Sequence, residues 1–351
     1  MDGDFQIQYH DGQDYPEWGS APRRPLVQFD GAHKGEWMDS VTGPDPLTGK
    51  SCIYHIVRCE MCITTHVWPL PSDDALATYY KTMFYQTDKS DMVLRYERDR
   101  VWWEQCVHEP ILRRCRMSDV LHSPEEQRPR FLDIGAGPGI ALDVARNKLG
   151  WETSGIEPNH SLCAALRQRG HAMHVGMLDT DPSNALQFQK ILGKFHCLYA
   201  YEVLEHQANP EDFLLACAEM LEDRGYLVIV VPNDYNPLQF SARKELGMAP
   251  WWLAPPQHLQ YFTPKTLQLL VRRCGFTLKD MRGTYAMEKF LLRGHNYIGN
   301  DDIGRTCHQQ RIQEELFIMR SGLWGSYEKQ MRRDLAEKRH GREIVCIAQK
   351  A

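Results

Sequence analysis

From Arg130 onward the chain alternates short apolar runs with segments whose apolar positions recur every three or four residues. Arg130–Ile134, Glu152–Glu157, Ala172–Gly176, Phe195–Tyr201 and Tyr226–Pro232 read as strands, with helices between most of them. Alternation of this kind predicts an α/β domain built on a doubly wound parallel sheet. A further helix is predicted over Thr263–Cys274, opened by a Thr-Pro pair suited to a cap and first turn and closed by Gly275. Phe276–Gly283 and Arg342–Ala348 can supply two last strands. Between them lies a charged helical insert of about fifty residues without a repeat.

The pattern differs upstream. Residues 1 to 50 are rich in Gly, Pro, Asp and aromatic residues with little periodicity, and predict an irregular arm. Ser51–Val67 is β-like, Asp74 to Arg114 is largely helical, and SPEEQRP, Ser123 to Pro129, reads as a linker. The expected division is an arm and accessory module over 1–122, a nucleotide-binding domain over 123–286, and a helical insert with the final strand of that same domain over 287–351.

The first of the alternating strands runs into FLDIGAGPGI, Phe131 to Ile140. Glycine is needed where the backbone approaches a ligand closely or takes positive φ, and Gly135, Gly137 and Gly139 follow the strand directly. A dinucleotide fingerprint would put its third glycine at position 140, where Ile140 stands. Glu157 closes the second strand, and a carboxylate there can accept hydrogen bonds from a pair of ribose hydroxyls.

With SGIEPN around Glu157, YAYEVLEH (Tyr199–His206), LEDRGYLVIVVPN and QHLQYFTPKTL running into CGF, the chain resembles class I S-adenosylmethionine-dependent methyltransferases. The resemblance is to the branch that includes the ubiquinone-biosynthesis O-methyltransferases, and it covers roughly residues 95 to 285 plus REIVCIAQK. It implies a Rossmann-like seven-stranded sheet whose last strand is antiparallel. It also implies S-adenosylmethionine as cofactor, with Asp133 near the methionine amino group, Glu157 on the ribose and Glu202 lining the donor pocket. Family members often carry an acidic residue after the third strand for the adenine amine. Here Met177 and Leu178 stand there, with Asp179 just beyond, so backbone and apolar contact are expected to hold the adenine.

Glu202, Glu205 and His206 follow the fourth strand at spacings that bring them to one face of a helix or turn. Two carboxylates and an imidazole suit Mg2+ or another divalent cation. Some members of the resembled superfamily complete such a Glu-x-x-Glu-His set with a later histidine, and His258 occupies that position. Without a metal, His206 and His258 are the candidate general bases, because imidazole titrates nearest neutrality. Cys59-x-x-Cys62 with His66 forms half of a zinc signature that Cys52 or His33 could complete; structural Zn2+ and free thiols both remain open, since no second pair is evident. Trp251 and Trp252, beside His258, could stack on an acceptor or plug the core, whereas Trp102 and Trp103 read as packing residues.

Composition narrows the substrates. A net charge of -5 offers no basic field for duplex nucleic acid, and no apolar run is long enough for a membrane span. The acidic, polar start of the chain is unlike a signal peptide, so a cytoplasmic location is expected. Eleven cysteines, several of them in apolar-periodic segments, argue against a disulfide framework. The expected partner is a small-molecule acceptor, and a homo-oligomeric state stays open. The segment HNYIGNDDIGRTCHQQR resembles bacterial methyltransferases, some of them tied to surface-saccharide synthesis. The combined expectation is O-methylation of a hydroxylated small molecule such as a sugar, nucleotide-sugar or natural product. A C-methyltransferase and a non-catalytic donor-binding scaffold are the alternatives.

Overall fold

The computed structural model describes residues 9–10, 26–28, 33–79, 90–121, 128–178 and 192–351. Its strands, in chain order, are β1 (Tyr9–His10), β2 (Leu26–Gln28), β3 (Lys34–Pro44), β4 (Ser51–Cys59), β5 (Thr65–Trp68), β6 (Arg130–Ile134), β7 (Glu152–Glu157), β8 (Ala172–Val175), β9 (Phe195–Tyr201), β10 (Leu221–Pro232), β11 (Gln260–Tyr261), β12 (Phe276–Gly283) and β13 (Glu343–Lys350). Seven of them form one sheet in the order β12-β13-β10-β9-β6-β7-β8. β6 to β10 pair in parallel, and β13 lies antiparallel to both β10 and β12. This is the Rossmann-like α/β sheet the alternating pattern predicts.

The central strands are covered on both faces, and their sequences are accordingly near-continuous apolar runs. Successive residues of β6, β9 and β10 feed opposite cores. Leu132, Ile134, Leu198, Ala200, Leu227 and Ile229 face the helices Pro210–Met220 and Pro264–Arg273. Phe131, Cys197, Tyr199, Val228 and Val230 face the segment 102–112 and the helix Ile140–Asn147. The helix start expected at Thr263 is capped as its sequence suggests: Thr263 accepts from the Thr266 amide, and Thr266 reciprocates.

β10 begins five residues before its expected start. The helix ending at Met220 passes directly into Leu221, and an irregularity in the pairing with β9 between Leu221 and Tyr226 absorbs EDRG. A larger difference lies in the first fifty residues. Expected to be irregular, they include the eleven-residue β3, whose sequence KGEWMDSVTGP carries Gly35, Asp39 and Gly43 at strand positions. Pairing with β4, from Gly35 opposite Cys59 to Pro44 opposite Ser51, outweighs that poor local propensity. Asp39 is fully buried there, bonded to Arg243 at 2.9 Å and to the Tyr235 hydroxyl at 3.1 Å.

β3, β4, β5 and β11 form a second sheet in that order, with β1 and β2 both pairing with β3. It borrows β11 from far along the chain, so the small sheet and the large one are joined through residues 260–261. Of the helical stretch expected over 74–114, residues 80–89 lie outside the described residues, as do 122–127 of the expected linker.

The insert forms the helices Glu288–Leu292, Asp301–Arg320 and Trp324–Lys338. These pack on the domain itself: Glu315 accepts from Trp102 Nε1 at 2.9 Å, and Glu328 pairs with Arg282 of β12 at 2.8 Å. All eleven cysteines are free thiols. Among the described residues no helix is long and apolar enough to cross a membrane.

Candidate functional site

At the carboxyl ends of β6, β7 and β9 lies a cleft of about 670 Å³, within the range of roughly 300–1,000 Å³ usual for small-molecule sites. Its floor is the glycine turn. Gly135 and Gly139 both sit at φ 75°, a region that side chains rarely enter, and a Cβ on Gly135 would lie 2.8 Å from Val203 Cγ2. The Gly135 and Ala136 amides donate to the Ile156 carbonyl at 2.8 and 3.1 Å, tying the turn to the end of β7.

Glu157 holds this turn in shape. Its Oε2 accepts from the Gly137 amide at 2.9 Å and its Oε1 from the Asn159 amide at 2.8 Å. A carboxylate has about four acceptor positions, so both oxygens keep capacity for hydroxyls of a ligand in the cleft. Asp133 lines the same cleft and is buried. Desolvation first, and the Glu157 charge second, raise its pKa well above the carboxylate range. A cationic ligand group would reverse that preference, which fits the amino group expected there. Met177, half exposed, and buried Leu178 line the cleft past β8, as the apolar adenine contact requires. Asp179 lies outside the described residues.

The opposite wall was not legible in the sequence. Residues 103–108 form a π-helix, a widened turn found often at functional sites. It presents Trp103 and His108 to the cleft, with Tyr96 stacked on Trp103 at 4.7 Å. Both tryptophans pack as expected, Trp102 within the core and Trp103 against it, and Trp103 also lines the cleft. The His108 Nδ1 is 2.9 Å from the Tyr199 hydroxyl, and burial lowers its pKa to about 3. Trp251 and Trp252 instead pack against Tyr235 and the rest of the small-sheet core and do not border the cleft.

Glu202, at φ 53° just past β9, reaches into the cleft. Surrounding protein, then the Glu343 carboxylate, push its pKa up to about 7. Beyond it, Glu205, His206 and His258 converge, with one ligand-type atom from each within 4.8 Å of the others. Glu202 does not join them, so the structure gathers three of the four residues expected to share a cation. The reason is local: Glu202 is on the turn, whereas Leu204–His206 form a single 3-10 turn that carries Glu205 and His206 away from it.

His206 Nδ1 is 2.6 Å from the Gln257 carbonyl, and the ring also meets the Glu202 backbone, while desolvation lowers its pKa. The Nε2 of the same ring is 3.8 Å from Glu205. Both Glu205 oxygens are buried without a hydrogen-bond partner, and burial, then Glu202, push its pKa far up. His258 Nδ1 is likewise buried without a partner, and desolvation lowers its pKa to about 3. Two neutral imidazoles around an orphaned carboxylate fit a divalent cation, and the nitrogen donors favour a transition metal over Mg2+. The other expected metal set also assembles: His33, Cys59, Cys62 and His66 meet, while Cys52 does not belong to the group.

Residues 111–280 match the family described as a methyltransferase domain. The chain is matched over just under half of its length. It is 32% identical over 162 residues to a ubiquinone biosynthesis O-methyltransferase of Cereibacter sphaeroides, an alignment covering 44% of this chain and 62% of that protein. The namesake protein of Roseobacter denitrificans is 27% identical over 204 residues, covering 52% and 79%. A solved SAM-dependent methyltransferase from Archaeoglobus fulgidus is 16% identical, with a TM-score of 0.40 and coverage of 77% of this chain and all of that one. The chain thus spans about 62% of the length of the first of these relatives.

The matched region contains the glycine turn, Glu157, the Glu205–His206 pair and His258. It leaves out β1 to β5, the segment of Tyr96 and Trp103, and the C-terminal insert. Those segments supply the π-helical wall and five of the six strands of the small sheet.

Proposed function

We propose that the chain is an S-adenosylmethionine-dependent methyltransferase that methylates a hydroxyl of a small molecule. The observation that carries this reading is the placement of His206, which lines the donor cleft on one side and joins Glu205 and His258 on the other. When bound, the donor supplies an electrophilic methyl group on a sulfonium. The protein's part is then to orient the acceptor and remove its proton. As the oxygen–carbon bond forms and the carbon–sulfur bond breaks, the hydroxyl proton goes to His206 in a metal-free site. Glu205, His206 and His258 are the residues that would hold a divalent cation, which would lower the pKa of the acceptor hydroxyl.

Oxygen as the acceptor atom is supported by the ubiquinone biosynthesis O-methyltransferases among the relatives. The cleft is walled by Trp103, Tyr96 and Tyr201, which suits a ring-shaped acceptor such as a sugar or a phenol. The test is donor calorimetry followed by incubation with hydroxylated acceptors, reading S-adenosylhomocysteine and the mass and bonding of the product. A methoxy product supports the proposal. Methyl on carbon would make the enzyme a C-methyltransferase, and donor binding without turnover on any acceptor would leave a scaffold.

A further inference from the structure

We propose that His33, Cys59, Cys62 and His66 form a structural zinc site, which braces the strand next to His258. β4 ends at Cys59, the chain turns back through residues 60–64 with Ile63 at φ 65°, and β5 brings in His66. The Cys62 amide lies 3.4 Å from Cys59 Sγ, folding the turn around that sulfur. His33 arrives from twenty-six residues upstream at the start of the neighbouring strand, where Gly35 pairs with Cys59.

The distances are those of a tetrahedron. Zinc bonds of about 2.3 Å to sulfur and about 2.0–2.1 Å to nitrogen give a sulfur–nitrogen edge of roughly 3.5–3.6 Å at the tetrahedral angle. His33 Nδ1 lies 3.5 Å from Cys62 Sγ and 3.9 Å from Cys59 Sγ. All four ligand atoms fall within 4.8 Å of one another.

His66 supplies a separate indication. Its Nδ1 is 2.7 Å from the Val67 carbonyl, so Nδ1 carries the hydrogen, the tautomer that frees Nε2 for a metal. That Nε2 is buried without a hydrogen-bond partner, on a residue only 1% exposed. Two thiolates and two imidazoles leave no open position on zinc, which marks the site as structural.

The brace follows from register. His66 pairs with Gln260 and Thr65 with Tyr261, the Val67 amide donates to the Leu259 carbonyl at 2.9 Å, and the Leu259 amide donates to the Glu205 carbonyl at 2.8 Å. The zinc turn thus ends one strand away from the His258 segment.

The test is metal analysis of the full-length chain purified without chelator. About one tightly held zinc per chain is expected, as befits a closed structural site. It should persist in Glu205→Ala/His258→Ala and fall to background in Cys59→Ser/Cys62→Ser. Because the cysteine variant can fail to fold, the wild-type chain is also loaded with Co2+. Thiolate-to-cobalt charge-transfer bands and the intense visible bands of tetrahedral cobalt are expected. Absence of zinc from the wild-type chain, zinc retained by the folded double-serine variant, or a cobalt spectrum without thiolate bands would each overturn the proposal.

Discussion

Replacing Glu157 with glutamine tests whether the carboxylate shapes the donor turn. Its two oxygens accept from Gly137 and Asn159 at 2.9 and 2.8 Å, and the residue is buried, so water cannot substitute. Glutamine keeps one acceptor, now uncharged, and turns a hydrogen donor toward the other amide. Hydrogen bonds to a charged group contribute about 1.5–3 kcal/mol each, and one of them is lost outright. The other falls to neutral strength, about half of its former value. The sum is roughly 2–4 kcal/mol of local stability. At about 1.4 kcal/mol per factor of ten, amide exchange at Gly137 should speed up by roughly 30- to 1,000-fold in the ligand-free protein. Donor affinity should fall at least about 30-fold, since the turn must be reordered before it binds. Exchange within about threefold of wild type, together with unchanged donor affinity, would refute the reasoning.

Asp133 makes donor binding depend on pH. Its folded pKa is raised, so the stability tied to its protonated form is complete below the usual carboxylate value of 3.8 and is lost as pH rises through the raised value. A cationic donor group prefers the ionised form, so affinity should climb over that window, with proton release in calorimetry, and Asp133→Asn should flatten the slope. Gly139→Ala forces a side chain to φ 75° with its Cβ driven into the Leu166 side chain. Strain of about 1–2 kcal/mol and overpacking of about 1–3 kcal/mol should together lower stability by about 2–5 kcal/mol in denaturant titrations. His258→Ala should leave donor affinity within about twofold while turnover falls by at least about a hundredfold, the usual contribution of a positioned base or metal ligand. Desolvation holds the His206 pKa below 6.5, so the acid limb of the turnover profile should lie below pH 6.5.

What the sequence revealed depended on how local the cause was. β7, β9 and β12 begin and end at the expected residues because turn residues such as Gly150, Pro158 and Gly275 bound them, and FHCLYAY of β9 is itself a near-continuous apolar run. The glycine turn was legible because its three glycines directly follow β6 and Glu157 ends the neighbouring β7. β3 was not, because its strand character comes from pairing with β4 and not from its own residues. Trp103 packs as expected, but its second role as a cleft wall depends on a π-helical widening that no periodicity announces. Of the four residues expected to share a cation, Glu205, His206 and His258 converge, while Glu202, which spacing suggested would share their face, lines the cleft instead.

The two residues of β11 give the molecule an unusual division of labour. They close the small sheet's edge, yet they follow His258 by only two positions. Removing residues 1–70 would leave both the cleft residues from Asp133 to Leu178 and the Tyr96–His108 wall in the chain and strip the His258 segment of its lateral support. Such a fragment should still load the donor but lose command of the acceptor. Substitutions in the amino-terminal sheet can therefore retune which acceptor is methylated without altering a residue of the donor cleft.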